Sequence, residues 1–236
     1  MLRALLLLTY FIASGITSLF FLVFIKLFSE KDSDRRTHWV HSFTMFWSKS
    51  VLWFTGARIV VKGKENLLHL GSVLFVSNHQ GNLDIPLLVG FIDKPKGFIA
   101  KLELNKFPII NIWMKATRCI LMERKNARQS LKVIEKGRRL LSEGYSLVVF
   151  PEGTRSRANN LGRFRGGSLK VLRGTGASIV PIAIKGVTQT AWKKKSSKDL
   201  SLIEITILPP VFPKEYEQVS SMELSQKLRE KISNCL

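Results

Sequence analysis

Cysteine is almost missing from this sequence, with only Cys119 and Cys235 in 236 residues. So few thiols, one of them beside the C-terminal residue, supply neither a disulfide framework nor the ligands of a structural zinc site, and they suit a reducing compartment. Acid is scarce too: 17 Asp and Glu stand against 37 Lys and Arg, for a net charge of +20. The partner is therefore expected to be anionic, which leaves nucleic acid, an acidic membrane surface, a phosphorylated small molecule or an acidic carrier protein. There is no internal repeat, and the length suits one large domain or two small ones. Apolar residues are not scarce. At 45% they exclude a disordered basic tail, which cannot bury enough surface to offset chain entropy.

The charge is unevenly placed. Residues 101–173 carry 17 basic and 5 acidic side chains, interleaved with strand-like runs instead of forming a low-complexity block. Ala4 to Ile25 are 22 residues without one charge. As a helix they would be roughly 33 Å long, enough to cross a hydrocarbon core of about 30 Å. The apolar run continues past the small-residue site Ala13-Ser14-Gly15, which argues against a cleaved signal peptide. After a charged hinge, Trp39, Val40, Phe43, Phe46, Trp47, Val51, Trp53 and Phe54 recur at mostly helical spacing, as in a helix at a lipid interface, with a core helix as the alternative. Residues 1–55 are thus expected to be a two-helix membrane anchor, either an inserting hairpin or a span plus an in-plane helix.

From about Ala57 the pattern changes. Ala57–Val61, Ser72–Ser77, Phe98–Lys101, Cys119–Met122, Ser146–Phe150, Ile179–Ile184 and Leu202–Leu208 read as strands, most of them apolar on both faces. Ala127, Leu131, Ile134 and Leu141 mark one side of a helix that Gly144 terminates. Residues 56–236, which contain no long interior linker, are expected to form one α/β domain, a largely buried mixed sheet flanked by helices.

Two motifs sit at strand ends, where α/β sheets place their chemistry. In Ser77-Asn78-His79-Gln80-Gly81-Asn82-Leu83-Asp84, a turn at Gly81-Asn82 lets Asp84 orient His79 as a general base. In Phe150-Pro151-Glu152-Gly153-Thr154-Arg155, glycine, hydroxyl and guanidinium together suit a phosphate. Lys101 and the pair Glu123-Arg124 can converge on it. No Gly-x-Ser-x-Gly elbow precedes His79 and Cys119 has no local histidine, so no covalent acyl-enzyme is suggested. His38, His41 and His69 lack the neighbours of a metal site.

These residues resemble the glycerolipid acyltransferases of the 1-acyl-sn-glycerol-3-phosphate acyltransferase type. Asn78-His79 to Asp84 is similar to the family's His-x4-Asp block, Lys101 to Arg124 to its acceptor block, Phe150 to Arg155 to its Phe-Pro-Glu-Gly-Thr-Arg block, and Val180-Pro181-Ile182-Ala183 to its fourth. The likeness spans residues 72–185. One departure is Met122-Glu123-Arg124, where the family often has an Ile-Asp-Arg type sequence.

The resemblance implies transfer of a fatty acyl group from acyl-CoA or acyl-carrier protein to the sn-2 hydroxyl of lysophosphatidic acid, giving phosphatidic acid in phospholipid biosynthesis. In that reading His79 and Asp84 are catalytic. Lys101, Arg124 and Arg155, with the Thr154 hydroxyl, grip the phosphate, and Glu152 and Gly153 shape its pocket. Backbone amides just after Asn78 are expected to hold the oxyanion. No metal and no bound cofactor is required, because the thioester carries the activation. The expected partners are membrane lipids with anionic headgroups, and not nucleic acid. If the first helix spans, Lys26, Lys31, Arg35 and Arg36 after the apolar run, against Arg3 before it, put the catalytic domain on the cytoplasmic side of the cell membrane. Glycerol 3-phosphate or another lysolipid is the alternative acceptor, and a basic membrane-binding module without catalysis is the alternative from another class. Since the blocks all follow Asn78, residues 1–55 are expected to be dispensable for the site's geometry if the sheet folds without them.

Overall fold

All seven strand-like runs become strands of one sheet in the computed structural model, which describes residues 2–30, 33–123, 127–155, 161–187 and 202–236. They are β1 (Arg58–Lys62), β2 (Val73–Ser77), β3 (Lys96–Lys101), β4 (Ile120–Met122), β5 (Ser146–Val149), β6 (Ser178–Lys185) and β7 (Leu202–Ile207), in the order β1-β7-β6-β2-β5-β3-β4. From β6 through β4 every pairing is parallel; β7 runs antiparallel to β6, and β1 runs parallel to β7. The sheet is therefore mixed. Its centre, β2 and β5, is buried at every residue, as expected of parallel strands covered on both faces.

Helix α3 (Asp84–Phe91) and the longer α2 (Asp34–Thr55) cover one face, where Leu52, Phe75, Leu87, Leu88, Val180 and Ile203 share a core. On the other face lie α5 (Ala127–Ser142), a 3-10 segment at Gly166–Leu172 and the last helix, α6 (Ser221–Ser233). The expected stop of α5 is present, with Gly144 in the left-handed region at φ 86°.

The N-terminal helices are tied to this domain. α1 (Leu2–Phe28) runs antiparallel along α2, with Tyr10 bonded to Ser50, Trp47 Nε1 donating to Ser14 Oγ at 2.9 Å, and Phe21 stacked on Phe43. It also packs on α4 (Pro108–Ala116), where Trp113 Nε1 donates to Ser18 Oγ at 2.7 Å. α2 divides its faces. Val40, His41, Ser48, Val51 and Leu52 are buried, whereas Phe46 and Trp53 are exposed. On α1, Leu5, Leu8, Ile12, Ile16, Phe20, Val23 and Leu27 are all exposed at spacings of three and four, so one continuous apolar stripe faces outward. Leu8–Phe28 is, among the described residues, the one helical stretch long and apolar enough to cross a membrane.

Candidate active site

Five parallel strands end along one edge of the sheet, at Ser77, Lys101, Met122, Val149 and Lys185. The His79 and Phe150 segments leave from adjacent strands there, since β2 pairs with β5. Leaving β2, Asn78 prolongs the ladder with its side chain: Oδ1 accepts from Ile184 N and Nδ2 donates to Ile184 O, both at 2.8 Å. This locks the chain direction just before His79. The turn then brings Asp84, the first residue of α3, back under the imidazole.

His79 Nδ1 lies 2.6 Å from Asp84 Oδ2. That same oxygen accepts from Gln80 N at 2.6 Å and Gly81 N at 2.8 Å, so the carboxylate closes its own turn while it orients the ring. Asp84 is wholly buried and the His79 side chain is 18% exposed. A carboxylate on Nδ1 selects the tautomer with its proton there, which leaves Nε2 as the basic nitrogen. The ring stacks on Phe150 with centroids 4.4 Å apart, and Phe98 lies behind Phe150 at 6.4 Å. The amides expected to stabilise an oxyanion are engaged elsewhere. Gln80 and Gly81 donate to Asp84, and His79 N donates to Glu152 Oε1 at 2.9 Å.

Glu152 is buried, and its second oxygen accepts from Gly162 N at 2.8 Å. It thus binds three loops together. Gly153 turns the chain at φ 72°, a conformation that favours glycine, and donates to Phe150 O at 3.1 Å. Thr154 and Arg155 beyond it are exposed, and the Arg155 guanidinium bonds to Asn82 Oδ1 on the His79 loop. These four residues and the His79–Asp84 pair are brought together. Lys101 ends β3, two strands and roughly 10 Å from β2, and its amine pairs with Glu103 at 2.7 Å. Glu123 is exposed at the end of β4, and Arg124 lies outside the described residues.

Sequence reasoning did not single out Phe150 as the ring behind His79, nor Gly162 as a ligand of Glu152. The first was signalled only by a large aromatic at a strand end. The second had no local signal.

An apolar cavity of about 470 Å³ lies between α1, α2, α3 and α4. Ile85 and Pro86, next to Asp84, line one part of it; Phe98 lines it beside the stacked rings, and Cys119 and Tyr145 line another part.

A family model described as Acyltransferase matches residues 58–185. The chain is 31% identical to a probable 1-acyl-sn-glycerol-3-phosphate acyltransferase of Mycoplasma pneumoniae, over 77% of this chain and 72% of that one. It is 32% identical to the 1-acyl-sn-glycerol-3-phosphate acyltransferase of Borreliella burgdorferi, over 58% of this chain and 54% of that one. Its fold is similar to the crystal structure of the 1-acyl-sn-glycerophosphate (LPA) acyltransferase PlsC from Thermotoga maritima. The TM-score is 0.78, with 24% identity, over 99% of this chain and 95% of that one.

Proposed function

The chain belongs to the acyltransferase family and is an acyl-transferring enzyme, and from that premise we propose that it acylates the sn-2 hydroxyl of lysophosphatidic acid with a thioester donor. The product is phosphatidic acid. The observation that carries the chemistry is the His79–Asp84 pair at 2.6 Å, with Asp84 buried and the imidazole partly open.

The steps follow from that geometry. His79 Nε2 takes the proton of the acceptor hydroxyl as its oxygen attacks the thioester carbonyl. Asp84 stabilises the imidazolium that forms through Oδ2, while its other oxygen, Oδ1, is buried with no hydrogen-bond partner among the described residues. The tetrahedral intermediate collapses, the carbon–sulfur bond breaks, and His79 returns the proton to the leaving thiolate. Neither a covalent acyl-enzyme nor a metal is required. Arg155, with Gly153 and Thr154, takes the acceptor phosphate, and Lys101 adds positive charge farther along the same edge. The apolar cavity beside Ile85 and Phe98 suits a fatty acyl chain, which supports a lipid reaction.

The membrane reading rests on the α1 stripe. The packing of α1 on α2 and α4 supports a helix with its outer face in one leaflet, and the basic flank Lys26, Lys31, Arg35 and Arg36 supports a catalytic domain on the cytoplasmic side.

The test is turnover by purified protein in detergent with lysophosphatidic acid and glycerol 3-phosphate, each offered acyl-CoA and acyl-carrier protein. Acylation of lysophosphatidic acid and not of glycerol 3-phosphate is expected with at least one donor. Turnover of glycerol 3-phosphate alone would replace the acceptor.

A further inference from the structure

Cations near Gly153 are fewer than the motifs suggest. Lys101 is ion-paired with Glu103 and stands two strands from His79, while Arg155 already bonds to Asn82. One guanidinium in this region belongs to none of the four motif blocks. Arg165 lies across Gly153, with its Nε, Cδ and Cζ 3.9 to 4.0 Å from the point a β-carbon at position 153 would occupy. Its side chain is exposed and makes no hydrogen bond or ion pair among the described residues.

The loop that carries Arg165 is held from four directions. Arg165 N donates to Pro151 O at 2.9 Å, and Gly162 N donates to Glu152 Oε2 at 2.8 Å. The Arg229 guanidinium bonds to Leu161 O and Gly162 O at 3.0 Å each. Phe164 between them is buried in the core, and Gly166 sits against the backbone of Ser221 so closely that a β-carbon there would lie 2.4 Å from its oxygen. So rigid a backbone fixes where this long cationic side chain starts, and no backbone ordering is left to be paid when a ligand binds.

We propose that Arg165 is a substrate-binding residue that takes the phosphate of the acceptor together with Arg155, the phosphate lying beside Gly153 between the two guanidinium groups. Two planar forks match the oxygens of a phosphate dianion better than one, and the absence of a side chain at position 153 keeps the space between them open. This rests on the acceptor reading above only in requiring a phosphomonoester.

The experiment is therefore run on whichever acceptor the wild-type protein turns over, lysophosphatidic acid or glycerol 3-phosphate, so a change of acceptor does not remove the test. Arg165→Ala is expected to raise the acceptor KM roughly tenfold or more, the scale of a lost charge-assisted contact, with kcat and the donor KM within about threefold. Arg165→Lys restores part of the affinity and Arg165→Gln does not. Any slow turnover of monoacylglycerol, which lacks the phosphate, is unchanged in Arg165→Ala. Arg163→Ala removes the same charge two residues away, where the guanidinium reaches only Met222 Sδ, at 3.9 Å, among the described residues, and leaves KM unchanged. The proposal is overturned if a folded Arg165→Ala or Arg165→Gln protein keeps its acceptor KM within twofold. It is overturned equally if Arg163→Ala raises KM as much, or if monoacylglycerol turnover falls in parallel.

Discussion

Asp84 holds one imidazole and two amides on a single oxygen, so two functions depend on its charge. Replacing it with Asn leaves an acceptor of the same shape without the charge that fixes the Nδ1–H tautomer. His79→Ala should lower kcat at least about 10²-fold, the scale of a positioned base, and Asp84→Asn should cost nearly as much. Unchanged circular dichroism and vesicle binding would show that the loss is chemical; near-normal turnover by His79→Ala would sink the mechanism. Glu152 gives a sharper case, because each of its oxygens accepts from a backbone N–H. Gln can offer one acceptor only and turns its NH2 toward the other donor. Glu152→Gln should therefore destabilise by about 1–3 kcal/mol, the cost of a buried unpaired group. Turnover should fall with it, because His79 N loses its anchor. A denaturation midpoint equal to wild type would contradict this.

At the scale of elements, the strands were legible because parallel strands buried on both faces show as short apolar runs bounded by turn residues. β3 began two residues earlier than expected, at Lys96, since a charged residue at a strand start breaks the run. The His79–Asp84 turn was legible because its partners are five residues apart. What holds it was not: Asn78 meets Ile184 across 106 residues, and Glu152 meets His79 across 73. Nor was it visible that the Gln80 and Gly81 amides close on Asp84, which removed them from the expected oxyanion site. Lys96 also ties an element. Its Nζ donates to Ile92 O at 2.6 Å and Lys94 O at 2.9 Å, at the C-terminal end of α3. Burial pushes its amine down to about 7. Between that pH and the ordinary lysine value near 10.4, the unfolded chain binds a proton that the folded chain does not, so stability rises with pH. The contribution is at most about 1.4 kcal/mol per pH unit. Cys119 opposes it from about pH 8.5, because burial raises its thiol. The reading window is therefore pH 7 to 8.5, where Lys96→Met should flatten the rise in a denaturant series. Equal slopes in the two proteins would place the proton elsewhere.

For the whole molecule, the first 55 residues are more than an attachment. Leu52 belongs to the core around Phe75 and Leu88, His41 bonds to Asp93 beyond α3 at 3.0 Å, and Ile12, Gly15 and Trp47 line the apolar cavity. A chain starting at Gly56 would lose one cover of the sheet and a wall of the cavity, and this packing argues against the condition on which the segment was expected to be dispensable, that the sheet folds without it. Membrane attachment and site building can still be separated, because they use opposite faces of α1. Leu8, Phe20, Val23 and Leu27 lie on the outer stripe, at 56%, 74%, 56% and 73% exposure. Changing all four to Gln keeps helix propensity and leaves the contacts of Tyr10, Ser14 and Ser18 in place. Each apolar side chain contributes about 1.5–3 kcal/mol when fully buried, whereas a basic residue near an acidic surface contributes about 1 kcal/mol. Vesicle flotation of the fourfold variant should thus fall by an order of magnitude or more. What remains should appear on acidic vesicles at low salt and weaken near physiological ionic strength, where the Debye length is about 8 Å. Turnover of bilayer-embedded acceptor should fall with flotation, and turnover of a short-chain, water-soluble lysophosphatidic acid should stay within about threefold of wild type. Deletion of residues 1–55 should abolish both activities. A deletion that kept turnover of the soluble acceptor would show that α2 and the cavity it walls are not part of the catalytic structure.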